Sequence, residues 1–78
     1  MNQEAKILQA IAEHLGLSIE DLDRHALLRE ELNLGPIELN DLLSDLSQKF
    51  DVSFNANEVE DLKKIDDIIV LIEDNLLD

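Results

Sequence analysis

Leu32-Asn33-Leu34-Gly35-Pro36-Ile37-Glu38-Leu39 marks the start of the central helix of this chain. Proline lacks a backbone N–H and has a fixed φ, so Pro36 suits the first helical position, where that N–H would have no intrahelical partner. Downstream, Leu39, Leu42, Leu43, Leu46 and Phe50 recur at helical spacing, which predicts a helix running to about Phe50. At about 100° per residue these residues fall within ~100° of arc and form one buried stripe. Glu38, Asp41 and Asp45 group on another side, about 120° from the centre of the stripe, and Ile37 lies beside them. The helix is expected to have a core face and, separate from it, an acidic face with one apolar residue at its head.

Upstream, Gln3 to Leu15 carries Ile7, Leu8, Ile11 and Leu15 on one helical face, and Gly16 supplies the left-handed residue that often closes a helix. His14 stands at that end, where a cation interacts favourably with the helix C-terminus. With only His25 for company, and no ligand spacing between the two, it is not read as a metal ligand. Ser18 and Asp21 have the spacing of a capped turn, which predicts a short helical piece from Ile19 to Leu22. Asp23 to Ala26 is read as an irregular connection, and residues 26–32 as a brief further turn of helix closing one end of a bundle.

Downstream, Asp51-Val52-Ser53-Phe54 alternates like a strand but has no partner strand, so it is read as a loop with Val52 and Phe54 in the core. Asn55 followed by Glu58 predicts a capped short helix through about Leu62, with Val59 and Leu62 inward. The last helix begins near Ile65 or Asp66, with Asp66 and Asp67 suited to its N-terminus. Ile65, Ile68, Ile69, Ile72 and Leu76 face inward; Val70, Leu71 and Leu77 broaden the apolar face, as wider core or as contact with a second chain. The fold class is all-α: one domain over residues 1–78, built as a small bundle of three longer helices and one or two short ones.

The 78 residues carry 19 acids against 6 bases, a formal net charge of −13. Nucleic acid is excluded as a partner, because phosphate contacts are made chiefly by Lys and Arg. An acidic surface favours basic partners and steers their approach. The chain is 45% hydrophobic with helical periodicity, which separates it from a disordered acidic tail. It has no cysteine, and therefore neither disulfides nor thiolate metal sites. No apolar run approaches the ~18 residues of a membrane span, and no basic-then-apolar leader opens the chain. A cytoplasmic monomer without membrane contact is the expectation. Glycine-rich phosphate loops, calcium loops and zinc spacings are all missing, and carboxylates without a cleft do not make an acid–base pair. An enzyme is not expected.

Taken together, the acidic composition, the length, the leucine-rich second helix and the lead-in Glu30-Glu31-Leu32 resemble an acyl carrier protein. The similarity covers most of the chain. Lys6 to Gly16 resembles the family's first helix with its Leu-Gly turn, Glu20-Asp21-Leu22 its short acidic loop, and Lys49-Phe50-Asp51-Val52 the end of its second helix. The family motif is Asp-Ser-Leu at the start of that helix, where the serine carries 4′-phosphopantetheine. Laid without gaps, the motif falls on Gly35, Pro36 and Ile37.

Phosphopantetheinylation needs a hydroxyl to attack the pyrophosphate of coenzyme A, and proline has no nucleophilic atom. The expected cofactor set is therefore empty, with Pro36 in the attachment position. The resemblance implies that the acidic second helix, through Ile37, Glu38, Asp41 and Asp45, docks the basic surface of a partner protein. The alternative is a working acyl carrier in fatty-acid or related acyl metabolism, attached atypically, for instance at Ser44. That residue lies two helical turns past Pro36, about 12 Å along the axis at ~1.5 Å per residue.

Overall fold

The structure, a computed structural model, describes residues 3–76. Its elements follow in the order α1 (Gln3–Leu15), a 3-10 turn (Ile19–Asp21), α2 (Pro36–Phe50), α3 (Ala56–Glu60) and α4 (Ile65–Leu76). Among the described residues there is no strand, only an isolated antiparallel bridge between Leu27 and Lys64. The expected all-α architecture is present, with helices of 13, 15 and 12 residues and a short one of 5. No helix among the described residues is long and apolar enough to cross a membrane.

Each long helix buries the stripe its spacing announces. Ile7 and Ile11 of α1, Leu42 and Leu46 of α2, and Ile65, Ile68, Ile69 and Ile72 of α4 are all fully buried. Leu8, Leu15, Leu39, Phe50 and Leu76 pack against this centre while partly exposed. Alanines widen the α1 face: Ala10 and Ala12 are buried, small enough to admit a neighbouring helix at close range. Val52 is buried and Phe54 packs on the core edge, as expected of a loop tucked under the bundle. On α4 the broad apolar face is only partly core, since Val70 is exposed and Leu71 half-buried; Leu77 lies outside the described residues.

The caps explain where the helices stop. Gly16 follows α1 with φ of +74°, a conformation that an L side chain adopts only under strain. Asp51 closes α2 in the same left-handed region, and its N–H donates to the carbonyl of Ser47. At α3 the anticipated capping box is complete: Asn55 Oδ1 accepts from the Glu58 N–H at 2.9 Å, and Glu58 Oε1 accepts from the Asn55 N–H at 3.3 Å. The helix ends at Glu60, before Leu62, because the Asp61 N–H turns back to the carbonyls of Glu58 and Val59. Ser18 caps nothing; its hydroxyl donates to the Asp21 carboxylate at 2.9 Å instead.

The long connection before α2 is more ordered than its sequence suggests. The brief helical turn expected over residues 26–32 is present as i to i−4 bonds without a full helix: Glu31 N–H donates to the Leu27 carbonyl and Asn33 N–H to the Arg29 carbonyl, both at 3.1 Å, while Leu32 N–H also reaches Leu27 and Leu34 N–H donates to Leu28 at 2.8 Å. Asn33 takes φ of +56°, which reverses the chain into α2. The connection is also bonded to the start of α4, through Leu28 N–H to the Lys63 carbonyl at 2.9 Å and Ile65 N–H to the Ala26 carbonyl at 3.1 Å. Leu22, Ala26, Leu28 and Leu34 hold it on the core.

Arg24 links three elements. Its guanidinium donates to Asp66 at the head of α4, Nε at 3.0 Å, and to Glu4 near the start of α1. The hydrogen bond from Arg24 holds the Asp66 carboxyl below its ordinary pKa, against a smaller opposing effect of burial. A carboxylate whose folded pKa is depressed contributes stability above its unfolded pKa and loses it as pH falls through the folded value. Below about pH 4 this link is therefore expected to weaken. Thermal melts of Asp66→Asn and the native chain should differ most near neutrality and converge in acid. A constant difference across that range would show that the Arg24 link contributes nothing.

Candidate functional site

The start of α2 is the least covered part of the longest helix. Gly35 is its N-cap and has no side chain to satisfy the first amides, and Pro36 follows at the first helical position, as expected. Ile37 comes next, 75% exposed, an isoleucine turned outward while the leucines of the same helix turn inward. Glu38 lies on the first turn, where a carboxylate is favoured by the unpaired amides of the helix terminus. Its Oε1 would be 2.8 Å from a Cβ built on Gly35, so the carboxylate folds back over the N-cap.

Glu38 and Asp41 are both exposed, and neither has an ion-pair partner among the described residues. Ile37 and Asp41 are four residues apart, and Glu38 and Asp41 three, so the three side chains neighbour one another on one side of α2. Asp45, predicted on the same face, is placed differently. It is half-buried; its Oδ2 lies 3.3 Å from His14 Nδ1 on α1 and 3.4 Å from Lys49 Nζ one turn further on. Lys49 in turn reaches Glu13 at 4.0 Å. The partner of His14 is thus a carboxylate of the neighbouring helix. Asp45 spends part of its charge joining α1 to α2, and the free acidic patch is centred on Glu38 and Asp41.

Beside this patch, across the Gly35-Pro36 corner, opens a cleft of about 530 Å³ between the 27–34 connection, α2 and α3. Leu28, Leu34, Leu39 and Leu62 supply apolar wall, and Arg29, Glu30, Glu60 and Lys63 stand among its lining residues. A shallower hollow of about 370 Å³ continues along α2 past Asn40 and Val59, and Ser44 and Ser47 line it. Sequence reasoning did not single out Arg29 and Lys63. They are distant in the chain, and only the bonding of residues 27–28 to 63–64 brings them to one opening.

No hydroxyl or thiol occurs from Asn33 to Leu43, so the helix start and its first two turns present no nucleophile. The first hydroxyl on α2 belongs to Ser44, which is exposed. The site can offer shape, an apolar anchor and charge. It offers no attacking group at the helix N-terminus.

A family model described as a phosphopantetheine attachment site matches residues 5–72. The chain is 30% identical over 74 residues to an acyl carrier protein of Chlamydia muridarum, covering 95% of this chain and 96% of that one. It is 26% identical over 70 residues to an acyl carrier protein of an Exiguobacterium species, covering 90% and 89%. Its backbone superposes on the crystal structure of an acyl carrier protein from Thermotoga maritima with a TM-score of 0.74 and 24% identity, covering 92% of this chain and 84% of that one, a likeness of fold. The four helices among the described residues, the acidic α2 and matches running almost end to end agree with one another: the chain belongs to the acyl carrier protein family, whose members are carriers rather than enzymes.

Proposed function

We propose that this protein is a carrier-like interaction module that is not phosphopantetheinylated at the start of α2 and docks a basic partner protein through Ile37, Glu38 and Asp41, with Asp45 adding charge at the edge. The observation that carries the reading is the 75% exposure of Ile37 beside two unpaired carboxylates. Apolar groups on an acidic helix are normally turned to the core, and three leucines of α2 are buried there. An exposed isoleucine ringed by charge has the anatomy of an anchor: its burial supplies affinity, and the charges orient the approach.

The residues at the helix start do not fit the family's prosthetic group. Attachment there needs an oxygen nucleophile, and Gly35, Pro36 and Ile37 have none. The reading of an acyl carrier modified at Ser44 moves the attachment about 12 Å along α2, away from Pro36 and the cleft corner.

The docking reading is tested with a 15N-labelled chain titrated against a synthetic amphipathic helical peptide rich in lysine and arginine with one central leucine. Amide shifts are expected at Ile37, Glu38 and Asp41, weakening as ionic strength rises. Glu38→Lys with Asp41→Lys should abolish them while the helical circular dichroism is unchanged, because both residues are exposed. Shifts spread evenly over the other acidic surfaces, or persisting in the doubly reversed variant, would sink the proposal.

A further inference from the structure

Arg29 and Lys63 are two of only six Lys and Arg residues in a chain of net charge −13, and both line the cleft beside Pro36. Both are exposed, and among the described residues neither is within ion-pair distance of a carboxylate. Of the other four, Arg24 takes Glu4 and Asp66 and Lys49 takes Asp45 and Glu13, while Lys6 and Lys64, like Arg29 and Lys63, have no carboxylate within ion-pair distance among the described residues. What sets Arg29 and Lys63 apart is that the two cations share one leucine-walled space in a chain of net charge −13. The space itself is within the range that holds a bound group of several heavy atoms.

From this juxtaposition we infer that the partner is not uniformly basic: next to the bases that meet Glu38 and Asp41, it presents a large apolar side chain flanked by a carboxylate. The apolar side chain enters between Leu28, Leu34, Leu39 and Leu62, and the carboxylate meets Arg29 and Lys63. Glu30 and Glu60 share the lining, so the cleft presents charge of both signs around an apolar floor. A matched pattern of that kind favours a partner of mixed charge over one of a single sign, because a misplaced like charge is repelled. The inference rests on the docking reading above, since Pro36 and Asn40, chain neighbours of Ile37 and Asp41, line the cleft and one partner surface is taken to span both.

The test uses the full 15N-labelled chain and a short acetylated peptide carrying leucine, phenylalanine and two glutamates, with its glutamine analogue and a lysine analogue as controls. The glutamate peptide is expected to shift the amides of Leu28, Leu34, Leu39 and Leu62. The glutamine analogue should bind about fivefold more weakly, the scale of two exposed charge pairs. Arg29→Glu with Lys63→Glu should lose the glutamate peptide and take the lysine analogue instead, with the fold checked by circular dichroism.

No response at those four amides overturns the inference, as does equal binding of the glutamine analogue. Octanoate moving the same amides where the peptide does not overturns it in favour of a small amphiphile. If the cleft fails while the basic probe still shifts Ile37 and Asp41, only this inference falls. If the basic probe fails while the glutamate peptide still binds, the shared surface falls, and the single mixed partner with it.

Discussion

After incubation with coenzyme A and a broad-specificity phosphopantetheinyl transferase, the native chain is expected to keep its intact mass, whereas a Gly35→Asp, Pro36→Ser variant gains one phosphopantetheine. The difference is all or none, because it turns on one atom. The transfer needs an oxygen to attack phosphorus, and the hydroxyl of a serine at position 36 supplies it where the proline ring has none. Neither change should break α2. The backbone at Gly35 is ordinary extended chain, with φ of −76°, which any L residue adopts. A Cβ there meets only the far end of the Glu38 side chain, which can swing away. Aspartate is also a better N-cap than glycine by a few tenths of a kcal/mol. Serine at the first helical position lacks the fixed φ of proline but is compatible with a helix start. Modification of the native chain would overturn the reading of Pro36 and direct mapping to Ser44 first. A variant that stays unmodified would show that this α2 face is not read by the transferase, and would remove the strongest functional support for carrier-like recognition.

Leu46→Ala should cost ~2–5 kcal/mol, a large part of the ~4–12 kcal/mol expected for a domain of this length. Leu46 is fully buried on α2 among the leucines and isoleucines of the three long helices. Truncation leaves a cavity that the surrounding side chains fill only in part, so the midpoint of thermal unfolding should fall by roughly 10–30 °C. Ile37→Ala on the same helix is the contrast. Its side chain is 75% exposed, and its loss should change stability by no more than about 0.5 kcal/mol. Paired melts therefore separate an isoleucine kept for contact from a leucine kept for packing. Equal losses at the two positions would contradict the burial pattern and the docking role together.

The helices were legible because their signals are local. The leucine period of α2, the proline at its head, Gly16 after α1 and the Asn55–Glu58 box each act within a few residues, and each is found where its chemistry places it. The face formed by Glu38 and Asp41 was legible on the same grounds, as a matter of helical register. What the sequence hid depends on contact between distant segments. Asp45 shares the register of Glu38 and Asp41, yet His14 approaches it from a helix 31 residues earlier and claims its carboxylate. The brief turn of helix over residues 26–32 is legible locally, but nothing within it announces that Leu28 will bond to Lys63. The cleft, made by that bonding, was invisible for the same reason. Ser18 and Asp21 mark the short helical piece that forms at Ile19–Asp21, although the Ser18 hydroxyl bonds the Asp21 side chain rather than the backbone.

The stitching of residues 24–28 to residues 63–66 also decides which wall of the cleft is compliant. Leu28 cannot move outward without breaking backbone bonds at the head of α4, whose isoleucines fill the centre of the molecule. On the opposite side stands α3, five residues long, with none of them buried and a capping box at its start. A unit with so few buried contacts opens locally at far lower cost than the core. The cleft is thus built like a vice with one fixed and one sliding jaw. Any adjustment to the size of what enters it falls to α3, and its amides should exchange with solvent well before those of α2 or α4.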